Sequence, residues 1–488
     1  MKVLVVGKGG REHALVWKLS LSPRAKTIYC APGNPGTAEI ATNIAIEPND
    51  IKGLVAFAKA EKIGLTVVGP EEPLALGIVD AFNKERLPIF GPAKIAAQLE
   101  SSKVFAKSIM RDANIPTADY KVCDHPDQAR AWICTRDYPL VVKADGLAAG
   151  KGVIVCSNNE EALKAMDRIM VREEFGRAAG RKIVIEKRMI GQELSVLAIV
   201  SGRTIIPLEP CQDHKAIFDN DLGPNTGGMG AYCPAPLGTK EILNQIDAGV
   251  LVPTVHIMKR KRMPFHGILY AGVMVTAQGP RVLEFNCRLG DPETQPLMMR
   301  LKTDLLELLL AAVENRLDEF EGKIEWDPRP AVCVVLAAKG YPGTVDLNHT
   351  ITGLNEASKL KDVQIFHGAT KFDAKNIVTA GGRVLSVTAL GDNMGAARAK
   401  AYEAVNLIKY SGMQYRTDIG LKALTALPFI VAVKSASKEK VEEAEKPAEN
   451  IKITDVVRLN KAKLAAAAEK IAEAKLAAEV ENSVEPQA

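Results

Sequence analysis

The 488-residue sequence predicts a multidomain protein of α/β and α+β class, and three observations carry that expectation. Short β-branched runs alternate with amphipathic stretches from the first residues onward, the pattern of a parallel α/β unit. The chain is also longer than one hydrophobic core organises, at about 100 to 200 residues per domain. Finally, Gly-rich loops and shifts of composition divide it into segments 1–122, 123–195, 196–327, 328–426 and 427–488.

In segment 1–122 the strands are expected at Val3 to Val6, Thr27 to Cys30, Leu65 to Val68 and Leu87 to Phe90. Three turns follow strand ends: Gly7 to Glu12, Ala31 to Gly36 and Val68 to Pro73. In an open parallel sheet the ligand crevice lies outside the carboxyl ends of the strands, so these turns should face one crevice. The first opens a helix whose free N–H groups favour a phosphate. Its glycines, Gly7, Gly9 and Gly10, lack dinucleotide-fingerprint spacing. Segment 123–195 should hold strands Leu140 to Lys143, Val153 to Cys156 and Lys182 to Glu186, with a helix from Asn159 to Val171. Segment 196–327 contains the strand pair Gly267 to Thr276 and Pro280 to Asn286. Segment 328–426 reads as a separate α+β cap, with strands Ala331 to Ala337 and Arg383 to Ala389 and a helix from Met394 to Lys409. The Lys-, Glu- and Ala-rich remainder, 427–488, reads as an appended helix or a disordered extension.

Composition narrows the function. The formal net charge of +5 is small for this length, and the one dense basic run, Lys259 to Arg262, reads as the cationic end of a helix. Nucleic-acid and membrane partners are therefore not expected, and no apolar run approaches the roughly 20 residues that span a bilayer. The eight cysteines are dispersed, without metal-site or redox-motif spacing, and should be reduced. A first strand directly after Met1 leaves no room for a targeting peptide, so the cytosol is the expected compartment, and a monomer the expected state.

The most specific chemistry lies in Leu283 to Gln295. Side chains alternate along a strand, so Glu284, Asn286 and Arg288 share one face while Phe285 and Cys287 turn to a core. Two hard oxygen donors suit Mg²⁺, which completes its shell with substrate phosphates, and Arg288 would hold charge on a transferred phosphoryl group. A second element, Ala144 to Gly152, ends in Lys151 and follows Lys143 on a strand. Such a loop can wrap triphosphate oxygens, and taken alone it is equally a hairpin connection. A third runs from Gln212 to Lys215 and on through Gly223 to Tyr232, a tightly folded loop that should line a site. His214 within it reads as an orienting or exposed group rather than a catalyst.

Together, Gly9-Gly10-Arg11-Glu12-His13-Ala14, Ala144 to Gly152, Gly223 to Tyr232 and Arg288 to Gln295 resemble the phosphoribosylamine-glycine ligase family, and Arg416 to Gly420 is similar to the family's usual ending. The likeness runs in order from Met1 to about Leu424. It implies an ATP-grasp fold with an N-terminal parallel α/β (pre-ATP-grasp) domain, a mobile lid, a central ATP-grasp part and a C-terminal α+β domain. It also implies ATP as a substrate, Mg²⁺ or alternatively Mn²⁺ as the metal, and glycine and 5-phosphoribosylamine as the groups joined through an acyl phosphate. Carried over by motif, Glu284 and Asn286 are the metal ligands. Lys103, Lys143, Gly150 and Lys151 serve the ATP phosphates, Glu186 with the following backbone serves adenine, and Glu193 serves the ribose hydroxyls. Arg288, Lys143 and Asp213 form the expected catalytic set. Gly10, Arg11, Glu12, Lys215, Asn225, Thr226 and Asp291 are expected on the substrate side. Lys187-Arg188 replaces the acidic and aromatic residues usual after Glu186, and Leu289 replaces a usual Phe. Two other readings remain, another ATP-grasp carboxylate–amine ligase and a nucleotide-binding regulator without turnover. The second gives no reason to keep Glu284, Asn286, Arg288 and both lysines together.

Overall fold

The computed structural model describes residues 1–147 and 152–425. Its N-terminal sheet is parallel throughout, with β1 (Lys2–Gly7), β2 (Thr27–Pro32), β3 (Thr42–Asn43), β4 (Leu65–Val68) and β5 (Ile89–Phe90) in the order β3-β2-β1-β4-β5. Val3 to Val6 are fully buried, as expected for a central strand covered on both faces. The expected strand from Leu87 forms only at Ile89–Phe90, because Pro88 has no N–H and contributes only its carbonyl, to Thr66. Helix α1 (Gly10–Ser20) starts directly beyond β1. The turns after β1, β2 and β4 meet at one end of the sheet. Gly33 N–H donates to Gly7 O, and a Cβ at Gly7 or Gly69 would strike the Glu12 side chain.

The next sheet is antiparallel in the pairs β6–β9, β7–β9 and β7–β8. It orders β6 (Tyr120–Cys123), β7 (Leu140–Ala144), β8 (Val153–Cys156) and β9 (Ile183–Lys187) as β6-β9-β7-β8. The expected long helix is α-helical over Asn159–Met166, capped by Asn158, and continues as a π-helical turn over Asp167–Val171. Its Ala162, Ala165 and Met166 pack on Leu140, Val142 and Ile185 in a small core of its own.

The chain then forms β10 (Gln192–Ser201), β11 (Thr204–Pro207), β12 (Gln212–Asp213), the hairpin β13 (Ala216–Phe218) and β14 (Leu222–Asn225), β15 (Gly230–Cys233), β16 (Gly267–Thr276) and β17 (Gly279–Asn286). The four longest-paired of these make the sheet β11-β10-β16-β17. After further helices come β18 (Ala331–Ala337), β19 (Val363–His367), the hairpin β20 (Thr370–Asp373) and β21 (Asn376–Thr379), and β22 (Arg383–Leu390). A last long helix over Met394–Leu407 is capped by Asn393.

Segment 328–426 differs from the expected cap in one respect. Its sheet has the order β12-β15-β18-β22-β19, so two strands from residues 212–233 are built into it. Correspondingly, one core holds Val196, Val273 and Phe285 together with Val334, Val387 and Ala401. Lys259 and Arg260 close the helix Val252–Arg260, as the charge pattern implied. Among the described residues no helix is long and apolar enough to cross a membrane. The tail 427–488, together with Gly150 and Lys151, lies outside the described residues.

Candidate active site

β17 presents the site as its alternation requires. Phe285 and Cys287 are buried in the core, and Val282 with them, while Glu284, Asn286 and Arg288 project oppositely. The β16–β17 register slips between Gly272, opposite Glu284, and Val273, opposite Val282, which turns the end of β17 locally. The Glu284 side chain makes no hydrogen bond or ion pair among the described residues. Burial alone would raise its carboxyl, but Lys103, Lys215, Lys143 and Arg288 together hold it below the ordinary carboxylate range. A half-buried carboxylate without a protein partner, two residues from an amide whose Oδ1 meets only Arg288 Nη2 at 3.4 Å, fits a divalent cation. No group of three or more His, Cys, Asp or Glu forms a metal cage among the described residues, and Mg²⁺ needs none when phosphates supply the remaining oxygens.

The cations arrive from different elements. Lys103 is the first residue of the helix Lys103–Asp112, capped by Ser102. Asp145, just past β7, pins that helix start by accepting from Ser102 Oγ at 3.0 Å and Val104 N–H at 3.1 Å. Lys143 on β7 donates to Leu283 O at 2.9 Å and lies 3.0 Å from Glu186 Oε2. The other Glu186 oxygen is 3.0 Å from Lys107, whose own ammonium donates to Thr117 Oγ1. Burial lowers Lys107 to about 8. Glu186, itself 2% exposed, is thus flanked by two lysines at the level of its side chain. Lys187 N–H bonds Asp119 O and Arg188 N–H bonds Pro139 O, so the first backbone donors after Glu186 without a partner among the described residues are those of Met189 and Ile190. Lys187 lies over the Tyr138 ring, 4.8 Å from its centroid.

Arg288 is ringed by acceptors. Its Nε stands 3.2 Å from Glu71, its Nη2 2.9 Å from Glu100, and its Nη1 donates to Leu289 O. Glu100 is buried and also accepts from Cys287 N–H at 2.7 Å, and burial raises its carboxyl. Burial would raise Glu71 too, yet Arg288 and Arg11 bring it down to about 2. Sequence reasoning singled out neither carboxylate, although Glu71 sits in a turn expected to face the crevice.

Across from β17, Glu193 on β10 pairs with Lys215 at 2.7 Å, and Lys215 lies 3.4 Å from Asp213 on β12. Burial pushes Asp213 up to about 7, with Glu293 and Glu193 adding to it and Lys215 opposing. His214 is buried and lowered to about 3 by that burial, which removes it as a base at neutral pH. Thr226 is tied to Lys215 O through both its N–H and its hydroxyl, and Asn225, at the end of β14, is exposed. Asp291 accepts from Gln295 Nε2 at 2.9 Å and pairs with Arg383 at 3.2 Å. At the start of α1, Glu12 accepts from Gly9 N–H at 2.6 Å and pairs with Arg11 at 2.6 Å. Gly10 and Arg11 come too early in the helix to have an intrahelical carbonyl for their N–H groups. Asp291 stands beside this helix start, 3.6 Å from where a Gly9 Cβ would lie. Lys107, Glu71, Glu100 and Arg383 were not found by sequence reasoning; all four act through contacts between distant parts of the chain.

A carboxylate and an amide on the antiparallel edge strand β17, approached by lysines from a neighbouring helix and from a separate four-stranded sheet, point to the ATP-grasp class. Family models bear this out in three consecutive parts. Residues 1–100 match the N domain of phosphoribosylglycinamide synthetase, 101–294 its ATP-grasp (A) domain and 331–422 its C domain. A phosphoribosylamine–glycine ligase of Rhodopirellula baltica is 53% identical over 428 residues, covering 86% of this chain and 98% of the relative. That of Allochromatium vinosum is 51% identical over 427 residues, covering 87% of this chain and 99% of the relative. The crystal structure of the Thermotoga maritima phosphoribosylamine–glycine ligase superposes with a TM-score of 0.73 at 32% identity, over 86% of this chain and 100% of the other. The chain belongs to the phosphoribosylamine–glycine ligase family. A biotin carboxylase domain from Hydrogenobacter thermophilus, solved with MgADP, shares the fold alone, with a TM-score of 0.65 at 16% identity over 85% of this chain and 91% of the other.

Proposed function

We propose that this chain uses ATP to join glycine to 5-phosphoribosylamine, yielding glycinamide ribonucleotide, ADP and phosphate in purine synthesis. The observation that carries this reading is the unpartnered Glu284 carboxylate with Asn286 beside it, ringed by Lys103, Lys143, Lys215 and Arg288, in a chain that matches all three parts of the family. A carboxylate is a poor acceptor for an amine, so it must first become a mixed anhydride. One glycine carboxylate oxygen attacks the γ-phosphorus and ADP leaves. The amine nitrogen then attacks the acyl carbon, loses a proton, and phosphate departs with one former carboxylate oxygen.

Glu284 and Asn286 would hold Mg²⁺, or Mn²⁺, which when bound neutralises charge spread over the phosphate oxygens. Lys103 and Lys143 serve the nucleotide phosphates from two sides, and the backbone beyond Arg188 serves the adenine edge. Glu193 is proposed for the ribose hydroxyls, with Lys215 holding its carboxylate in place. Asp213 faces the glycine side, and Arg11, Thr226 and Asp291 the sugar phosphate side. A monomer as the working unit and a cytosolic location belong to this proposal as expectations from the sequence.

Release of ADP should require all three substrates. With glycine labelled by ¹⁸O in its carboxylate, one label should pass into the released phosphate. Label-free phosphate would exclude the acyl phosphate route and point to activation of the sugar or amine instead.

A further inference from the structure

The turn Asn225 to Gly228 and the loop at Asp291 both stand on the acceptor side of the site, and neither is fixed by its own neighbours alone. Arg383, the first residue of β22, reaches both. Its Nη1 donates to Gly227 O at 2.7 Å, to Asp291 O at 2.6 Å and, more weakly, to Gly228 O at 3.4 Å. Its Nη2 stands 3.2 Å from the Asp291 carboxylate. A second side chain from the same part of the chain holds the turn from its other edge, since Gly227 N–H donates to Tyr341 Oη at 3.0 Å. The approach is close: a Cβ at Gly227 would lie 3.0 Å from Arg383 Cζ. A guanidinium suits this task because its donors diverge in one rigid plane, whereas an ammonium is a single point.

We propose that Arg383, assisted by Tyr341, is a positioning residue for the sugar-phosphate acceptor, locking the Gly227 turn and Asp291 into one rigid surface so that the C-terminal segment completes the acceptor side of the site. The proposal rests on the assignment of Asp291 and Thr226 to that side. Nothing in the clamp touches Lys103, Lys143 or Glu186, so the nucleotide side should not depend on it. Misplacement of a substrate-holding group by about 1 Å is enough to cost orders of magnitude in rate.

The test compares two affinities in the full chain by calorimetry, for the stable product glycinamide ribonucleotide and for MgADP. In Arg383→Ala, product affinity should fall by about tenfold or more with MgADP affinity unchanged. Arg383→Lys should recover part of that loss, and Tyr341→Phe should show a smaller loss in the same direction. These two milder variants decide the matter if the Ala variant does not fold. Unchanged product affinity in the folded variants, or an equal loss for product and MgADP, overturns the proposal. Asp291→Asn separates the two layers of the argument. If it weakens product binding while the Arg383 variants do not, the clamp is wrong. If it too leaves product binding unchanged, the assignment of Asp291 to the acceptor side fails, and the clamp with it.

Discussion

The Glu284 carboxylate feels the charge of four cations and makes no side-chain hydrogen bond among the described residues, so its removal takes away charge complementarity for a ligand and little for the fold. Glu284→Ala should therefore abolish the Mg²⁺-dependent turnover while leaving the thermal midpoint close to the parent's; an active, folded variant with unchanged Mg²⁺ dependence would refute the ligand assignment. Arg288 is the opposite case. Its loss leaves Glu100 buried without its ion-pair partner, with only the weaker pull of Arg11, and removing one partner of a buried pair costs about 3 to 5 kcal/mol. Arg288→Ala should thus lose stability as well as activity. Arg288→Lys, which keeps the charge, should fold and still lose roughly a hundredfold in turnover, as preorganised donors to a transferred group are worth about 3 to 4 kcal/mol. A folded Lys variant with parental turnover would remove Arg288 from the chemistry. Asp213 gives a pH signature. Burial raises its carboxyl from 3.8 to about 7, so between those values the folded protein holds a proton that the unfolded chain has released. This contribution to stability is complete below about pH 4 and is lost as pH rises through about 7. Relative to Asp213→Asn, which cannot titrate, the parent should lose stability over that interval and then level off in urea unfolding series. A pH-independent difference would show that the group does not titrate there.

At the scale of elements, β17 was legible because a period of two sorts its residues between core and site, whatever its partner. β16, β18 and β22, buried on both faces with no such alternation, were nonetheless placed almost to the residue as apolar, β-branched runs. What could not be read was which strands would share a sheet: β12 and β15 carry too few residues to advertise a partner, yet they pair with each other, and β15 pairs with β18 across some hundred residues of intervening chain. Nor could the ring around Arg288, since Glu71 lies 217 residues away and is brought there only by packing. The stretch after β9 falls between these cases. Its Lys187 and Arg188 donors are engaged by Asp119 and Pro139, so the adenine hinge proposed above would have to use Met189 and Ile190. Because a main-chain edge reads the base whatever the side chains are, ATP should remain strongly preferred over GTP despite Lys187 and Arg188, as a mismatched hydrogen-bond edge costs far more than altered packing. Comparable kcat/KM for the two nucleotides would count against a backbone hinge here.

For the whole molecule, the matched family parts end at residue 422, while the chain runs to 488. Truncation after Leu424 should leave ligase activity largely intact, measured as ADP release under saturating substrates; loss of soluble protein would show instead that the tail supports the body. A cut further back should behave differently. Arg416, fully buried, bonds Ala216 O and Asp221, and Thr417 N–H bonds Asp219, so the last described turn is knotted to the β13–β14 hairpin two hundred residues earlier. The five-stranded sheet that joins β12 and β15 to β18, β22 and β19 adds the same constraint. In terms of gene architecture, residue 330 looks like a seam on paper and is not one in the folded protein. A fission there would leave β15 with a bare edge in one product and β18 with a bare edge in the other, so the two polypeptides would have to be made together and find each other. By the same token, a chimera that imports 331–425 from a relative must import 210–235 as well, because the two stretches form one unit of inheritance.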